Sequence, residues 1–366
     1  MISRVESLDW LRGLMALTIM IYHLTSWHFF KLDSSSMLGR FGIYGVSIFF
    51  VLSGLSMAIV YSKYITDKRT AVTFYIRRVF RIWPLLWLCV ALLVVYKLAA
   101  GEDISITQVF LNITTLFGFI SPSDYMNTGA WSIGNEMVYY AMTPLILMMY
   151  EKNKLLGNLF LLATFIVALI FCFALLMPQQ SLTEQRHLYI NPFNNLFLYV
   201  AGIAIYYNRV DISCISTVII FTLTLAIFAS YPVSGDKIAI VTGVNRIIFM
   251  FASIFLVISF YSFSKWENNV PIALKYPLEQ FGLVTYGIYL LHPIVNLYLG
   301  YILEKLGIAS PYIQFGLTII VTIIAALLSF SLYEKKLIAF GKKATSNTNY
   351  QWLKLVSLSK NIKEKH

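Results

Sequence analysis

The run from Ser7 to Leu24, SLDWLRGLMALTIMIYHL, decides how this chain is read. It is long and apolar in the manner of a membrane helix, yet it carries Arg12 and His23. At roughly 100° per residue their spacing amounts to about 1100°, three full turns plus about 20°. Both side chains therefore leave nearly the same face, about 16 Å apart along the axis. An ionisable pair along one face of a membrane helix is costly against lipid, so it faces a polar cavity instead.

Composition points the same way. The 366 residues are 58% hydrophobic and only 12% charged, with a mean hydropathy of +0.72; soluble domains carry about 25% charged residues. The fold class is an all-α, polytopic membrane protein. A transmembrane β-barrel would show short alternating strands, whereas this chain shows long continuous apolar runs. The net charge of +11 is read as a topology signal rather than as a nucleic-acid surface. Cys89, Cys172 and Cys214 fall in or beside apolar runs, so they are expected to be packing residues, without a disulfide framework or a zinc site. No metal and no bound cofactor is expected. The first apolar run is followed by no small-residue cleavage site and is expected to be retained.

Ten spanning helices are predicted near 10–30, 41–62, 79–99, 131–150, 155–177, 192–207, 212–230, 239–261, 280–302 and 312–333. The stretch 104–121 is predicted to be a loop with a partial or re-entrant helix. Placing both termini in the cytoplasm puts roughly three quarters of the Lys and Arg residues on that side, the bias expected of a bacterial inner-membrane protein. The group Lys63, Lys68, Arg69, Arg77, Arg78 and Arg81 and the lysines from Lys335 onward dominate the count. The basic tail, with Trp352 and Leu353 interleaved, is read as a solvated topology determinant, or as a juxtamembrane helix on anionic lipid.

Depth along the helices suggests which groups could meet. His23 lies about 13 residues up the first helix, near 20 Å from its cytoplasmic edge. Glu136, in WSIGNEMVYY, lies about 5–7 residues below the outer edge, and His292 about 12 residues up the ninth helix. His23, Glu136 and His292 are therefore predicted to share one polar cavity in the outer half of the bilayer. A neutral imidazole there can take a proton from a hydroxyl, with a carboxylate to orient it or to act as the base itself. Arg246 is a further intramembrane charge that could neutralise Glu136. In FYIRRVFRIWPLLW, Arg78 and Arg81 share one helix face at the cytoplasmic entrance to the third helix. Guanidinium forks suit bidentate phosphate contacts. Ser53, Gly54 and Ser56 are small residues that permit close helix packing. His292 precedes Pro293, where a kink frees backbone carbonyls.

Taken together these stretches resemble the acyltransferase 3 family of integral membrane proteins. The motifs occur in order: LDWLRGLMAL with Tyr22-His23, FFVLSG, RRVFRIWPLLW, WSIGNEMVYY, TYGIYLLH and Tyr333-Glu334-Lys335. The likeness covers about residues 6–336, which suggests a transmembrane acyltransferase domain over 1–336 and a basic cytoplasmic tail over 337–366. Trp10 stands where Gly is common in the family, and Thr285 where Ser is.

The resemblance implies transfer of an acyl group, most often acetyl from acetyl-CoA as co-substrate, to a hydroxyl of an extracytoplasmic or lipid-linked glycan. It implies essential roles for Arg12 and His23, donor binding by Arg78 and Arg81, and an active region containing Trp131, Ser132 and Glu136; the depth estimate adds His292 in support. It also implies a stand-alone transferase, since no esterase-like periplasmic domain is appended. In this reading His23 is the base, Glu136 orients it, and Arg12 or Ser132 supports developing negative charge; His23 as an acyl carrier is the alternative. Two other classes compete: a transporter of a lipid-linked sugar, which lacks detectable repeat halves, and a non-catalytic membrane scaffold.

Overall fold

The computed structural model describes residues 5–210 and 212–345. Among these the chain is helical, with no strand. The helices are α1 (Glu6–His28), α2 (Met37–Tyr61), α3 (Lys68–Ala99), α4 (Ile106–Ile113), α5 (Phe117–Ile120), α6 (Trp131–Lys152), α7 (Lys154–Ile170), α8 (Arg186–Tyr189), α9 (Pro192–Tyr207), α10 (Cys214–Ser230), α11 (Ile238–Val241), α12 (Gly243–Phe263), α13 (Ile272–Leu283), α14 (Thr285–Lys305) and α15 (Pro311–Ser329). A π turn, Phe171–Leu175, extends α7.

Among the described residues, seven helical stretches are long and apolar enough to cross a membrane: Met37–Tyr61, Lys68–Ala99, Lys154–Leu175, Arg186–Tyr207, Gly243–Phe263, Thr285–Lys305 and Pro311–Thr345. Each of the ten predicted stretches holds a helix. The remaining three are α10, which is shorter, and α1 and α6, which carry the polar residues that face the interior. The stretch 104–121 holds the two short helices α4 and α5, separated by Thr115 in the left-handed region (φ 59°).

Three boundaries differ from expectation, each for a local reason. Helix α3 begins well before residue 79, because Asp67 and Thr70 form a capping box there; the basic cluster from Lys68 to Arg81 is thus helical. The predicted ninth helix is two helices, broken at Val284. Its first half, α13, is drawn along α1 by an ion pair from Lys275 to Glu6 (2.6 Å). The last helix passes through a π turn at Phe330–Glu334 and runs on to Thr345, where Arg77 Nε donates to Thr345 Oγ1 (3.1 Å). The remainder of the basic tail lies outside the described residues. Cys214 is exposed at the start of α10, unlike the buried Cys89 and Cys172.

Helices α2, α9 and α12 form the centre, and α7, α10 and α15 show apolar side chains outward. Lipid offers no hydrophobic drive between helices, so close packing must hold them. The tightest crossing is α2 on α9. A Cβ at Gly54 would lie 1.9 Å from the Tyr199 carbonyl oxygen, and one at Gly202 2.1 Å from that of Val51. The flanking serines do not perform this packing.

A second tie was not anticipated from sequence. Arg40 is 2% exposed and donates to the carbonyls of Ser34 (2.7 Å), Phe228 (3.1 Å), Tyr231 (2.6 Å) and Val233 (3.2 Å). It caps the C-terminal carbonyls of α10, which have no partner within their helix.

Gly54→Leu should cost about 1–3 kcal/mol or more through overpacking. The expected outcome is loss of the monodisperse peak in detergent chromatography and a lower melting temperature. Gly316→Leu, where a Cβ meets nothing within 4 Å, should leave both unchanged.

Candidate active site

Arg12 and His23 leave the same side of α1, but they open into two different cavities. Arg12 lines one of about 380 Å³, together with Arg78, Arg81, Ser53, Ser132 and Glu136. His23 lines another of about 430 Å³, together with Trp27, Trp131, Tyr189, Arg186 and Lys237. Tyr289 lines both.

The arginine cavity is built on α2. Arg12 pairs with Asp9 one turn away, bonds Ser56 and reaches the Leu52 carbonyl (3.3 Å). Glu136 accepts from Ser53 Oγ (2.7 Å) and from the Tyr140 hydroxyl. The Tyr140 ring lies under Arg78 (5.7 Å), whose Nη2 donates to Tyr61 Oη (2.9 Å). Neither Arg78 nor Arg81 forms an ion pair with a carboxylate among the described residues. Both guanidinium groups are thus free of a direct carboxylate contact, although Arg81 lies within electrostatic range of Glu334.

The histidine cavity is built on α1 and α14. His23 Nδ1 lies 2.9 Å from His292 Nε2, and His292 Nδ1 lies 2.9 Å from the Ile288 carbonyl oxygen. The carbonyl only accepts, so His292 carries its proton on Nδ1 and, when neutral, accepts at Nε2. His23 must then donate from Nδ1, which leaves the lone pair on Nε2. That nitrogen makes no hydrogen bond among the described residues. The geometry fixes one tautomer and turns the basic nitrogen away from its partner. His292 is fully buried, and Trp27 stacks on His23 (5.2 Å, 14° between planes).

Between the cavities stands a thin partition. Ser132 Oγ and Tyr289 Oη are 2.9 Å apart, and both bond the Gly129 carbonyl, at 2.9 and 3.0 Å. Gly129 is held at φ +86°, and a Cβ there would lie 2.9 Å from Tyr289 Oη. Trp131 lines the histidine cavity and Ser132 the arginine cavity.

The single predicted cavity is thus corrected. His23 and His292 do meet, but Glu136 does not join them. The prediction assumed that α6 starts at the outer edge. Instead the connection before it reaches into the bundle: Asn127 Nδ2 donates to the Leu290 carbonyl (2.8 Å), and Gly129 accepts from Tyr289. Helix α6 therefore starts level with the first turns of α14, and Glu136 falls into the arginine cavity. Arg246 does not neutralise Glu136 either; it donates to the carbonyls of Asn194 (2.7 Å) and Val241 (3.4 Å). Tyr289 and Tyr140 were not singled out from sequence. For Tyr289 a signal existed: it lies three residues before His292, on the same helical face.

A comparison with protein families matches residues 5–334 to an acyltransferase domain, that of the acyltransferase 3 family. The chain belongs to this family. It is an acyltransferase whose helices mark it as a multi-pass membrane protein. No curated protein and no solved structure matches the chain.

The two cavities should open to opposite membrane faces. In a background without native cysteines, a membrane-impermeant maleimide should label Thr183→Cys, in the histidine cavity, from one side. Val60→Cys, in the arginine cavity, should be labelled only from the other. Labelling of both from the same side would show that the cavities share one face.

Proposed function

We propose that this acyltransferase moves an acetyl group from acetyl-CoA to a hydroxyl of an extracytoplasmic or lipid-linked glycan, across a bacterial inner membrane that it spans ten times with both termini inside. The observation that carries this reading is the pair of cavities meeting at Tyr289, one lined by arginines and the other by a histidine pair. The charge bias of the sequence orients the arginine cavity toward the cytoplasm.

Arg78 and Arg81 hold the phosphates of the donor in this scheme, and Arg12, neutralised in part by Asp9, lines the path of its pantetheine arm. The thioester reaches the partition beside Ser132 and Tyr289. The acceptor enters from the other side and presents a hydroxyl to His23 Nε2. His23 takes the hydroxyl proton as the oxygen forms its bond to the thioester carbonyl carbon. The Ser132 and Tyr289 hydroxyls can turn from Gly129 to the carbonyl oxygen as negative charge gathers there. The carbon–sulfur bond then breaks, and the thiolate leaves with the proton from His23. Because the cavities adjoin, direct transfer needs no covalent relay. His292 holds His23 in the required tautomer, the task first assigned to Glu136. Glu136 instead fixes Tyr140 beneath Arg78. Membership in an acyltransferase family leaves the transporter and scaffold readings without support.

The direct test follows label from acetyl-CoA into alkali-labile ester on lipid-linked glycans in membranes containing the protein. His23→Ala should lower transfer by about 10²–10⁴-fold, the range of a general base. His292→Ala should fall in the same direction, and the double variant should be little worse than His23→Ala alone. Multiplicative losses would refute the coupled pair.

Arg78→Lys and Arg81→Lys keep the charge but lose the fork. Each should raise KM for acetyl-CoA about tenfold with little change in kcat. An unchanged KM would reduce them to topology anchors.

A further inference from the structure

The histidine cavity carries more positive charge than an uncharged sugar requires. Lys31, Arg186 and Lys237 line it, along with Asp33 and Asp236. Both carboxylates already accept hydrogen bonds from neighbouring loop residues. Asp236 Oδ1 accepts the backbone N–H of Leu182 (3.0 Å) and of Ile238 (2.8 Å). Asp33 accepts the N–H and hydroxyl of Ser35, at 2.9 and 2.5 Å, and these bonds hold its carboxyl below its ordinary range.

The cations are engaged less fully, with Lys237 within electrostatic range of Asp236 and Asp33 but bonded to neither. None of the three forms an ion pair among the described residues. Arg186 gives only its Nε to Tyr125 Oη (2.5 Å), which anchors the group and leaves both terminal nitrogens without an acceptor among the described residues. Lys237 Nζ stands over the Tyr22 ring (4.9 Å). Arg186 and Lys237 both lie within electrostatic range of His23. Beside them, Trp27 is 41% exposed over His23, a flat surface on which the apolar face of a sugar ring can rest.

We infer that this cavity is an oxyanion-recognition site, and that the acceptor it takes is a glycan bearing a carboxylate or phosphate next to the sugar whose hydroxyl faces His23. Arg186 supplies a bidentate fork and Lys237 a point charge, as in other carboxylate and phosphate sites. The shared chemistry is that of an anionic oxygen group, from a uronic acid in the glycan or from the phosphates of a lipid carrier. The inference rests on the proposed transfer reading only for calling the ligand an acceptor; the anion site itself can be measured without catalysis.

The experiment is equilibrium binding to the purified full chain in nanodiscs of neutral lipid, at low salt. Three probes are compared: a glucuronic-acid-containing oligosaccharide, its carboxyl-reduced counterpart, and an isoprenyl diphosphate-linked glucose. At least one anionic probe should bind about ten- to a hundredfold tighter than the reduced sugar, and the preference should fall as salt rises. Which anionic probe wins identifies the source of the charge. Arg186→Gln and Lys237→Gln should each remove most of the preference, while Arg186→Lys should keep part of it. Lys305→Gln, outside the cavity, should leave it intact. Equal affinity for all probes, no binding by any, or a preference indifferent to Arg186 and Lys237 would overturn the inference. A preserved preference without label transfer would sink the transfer reading and leave the anion site standing; transfer to neutral glycans without preference would do the reverse.

Discussion

Backbone meets backbone where α2 crosses α9 at Gly54 and Gly202, and the polar groups held by α2 take their places from that contact. With no side chain at the crossing, α2 sits deep in the bundle and turns its remaining faces to α1, α6 and α12. One turn's worth of small hydroxyl residues around Gly54 then does chemical work: Ser53 receives Glu136 and Ser56 receives Arg12. Without a central helix so narrow, these charges would have neither partners nor room, and charge in a bilayer is kept only where it is paired or solvated.

The same economy explains the division of labour among the arginines. Arg40 and Arg246 are both 2% exposed and spend their donors on backbone carbonyls. They are struts that close helix ends. Arg12, Arg78 and Arg81 line a cavity, and the latter two make no direct ion pair with a carboxylate among the described residues. Intramembrane position alone does not separate the two kinds; the partner does.

Much of this was legible in the sequence. Long apolar runs located the helices, and the eleven-residue spacing of Arg12 and His23 correctly placed them on one face. The same spacing, about 16 Å, also meant that they could not serve one small site, and the structure assigns them to two. His23 and His292 were brought together by depth alone. Glu136 was misplaced because depth counting took a loop to mark the membrane surface, whereas Asn127 and Gly129 carry that loop down to Leu290 and Tyr289. Re-entrant backbone has no signature in hydropathy. Nor could the tautomer of His23 be read from sequence, since it depends on one carbonyl, that of Ile288, two bonds removed.

The partition at Tyr289 has a consequence for the membrane as an energy store. On the proposed reading the two cavities open to opposite faces, and Tyr289 with its Ser132 contact is what stands between them. A through-going channel at that spot would short-circuit the ion gradient of the cell. With the wall in place, the proposed transfer would join a donor on one side to an acceptor on the other while bulk water and ions stay where they are. Activated chemical energy could then be spent outside a cell without its carrier ever leaving, and the insulation of the bilayer would rest on a few hydroxyl contacts to a single glycine carbonyl.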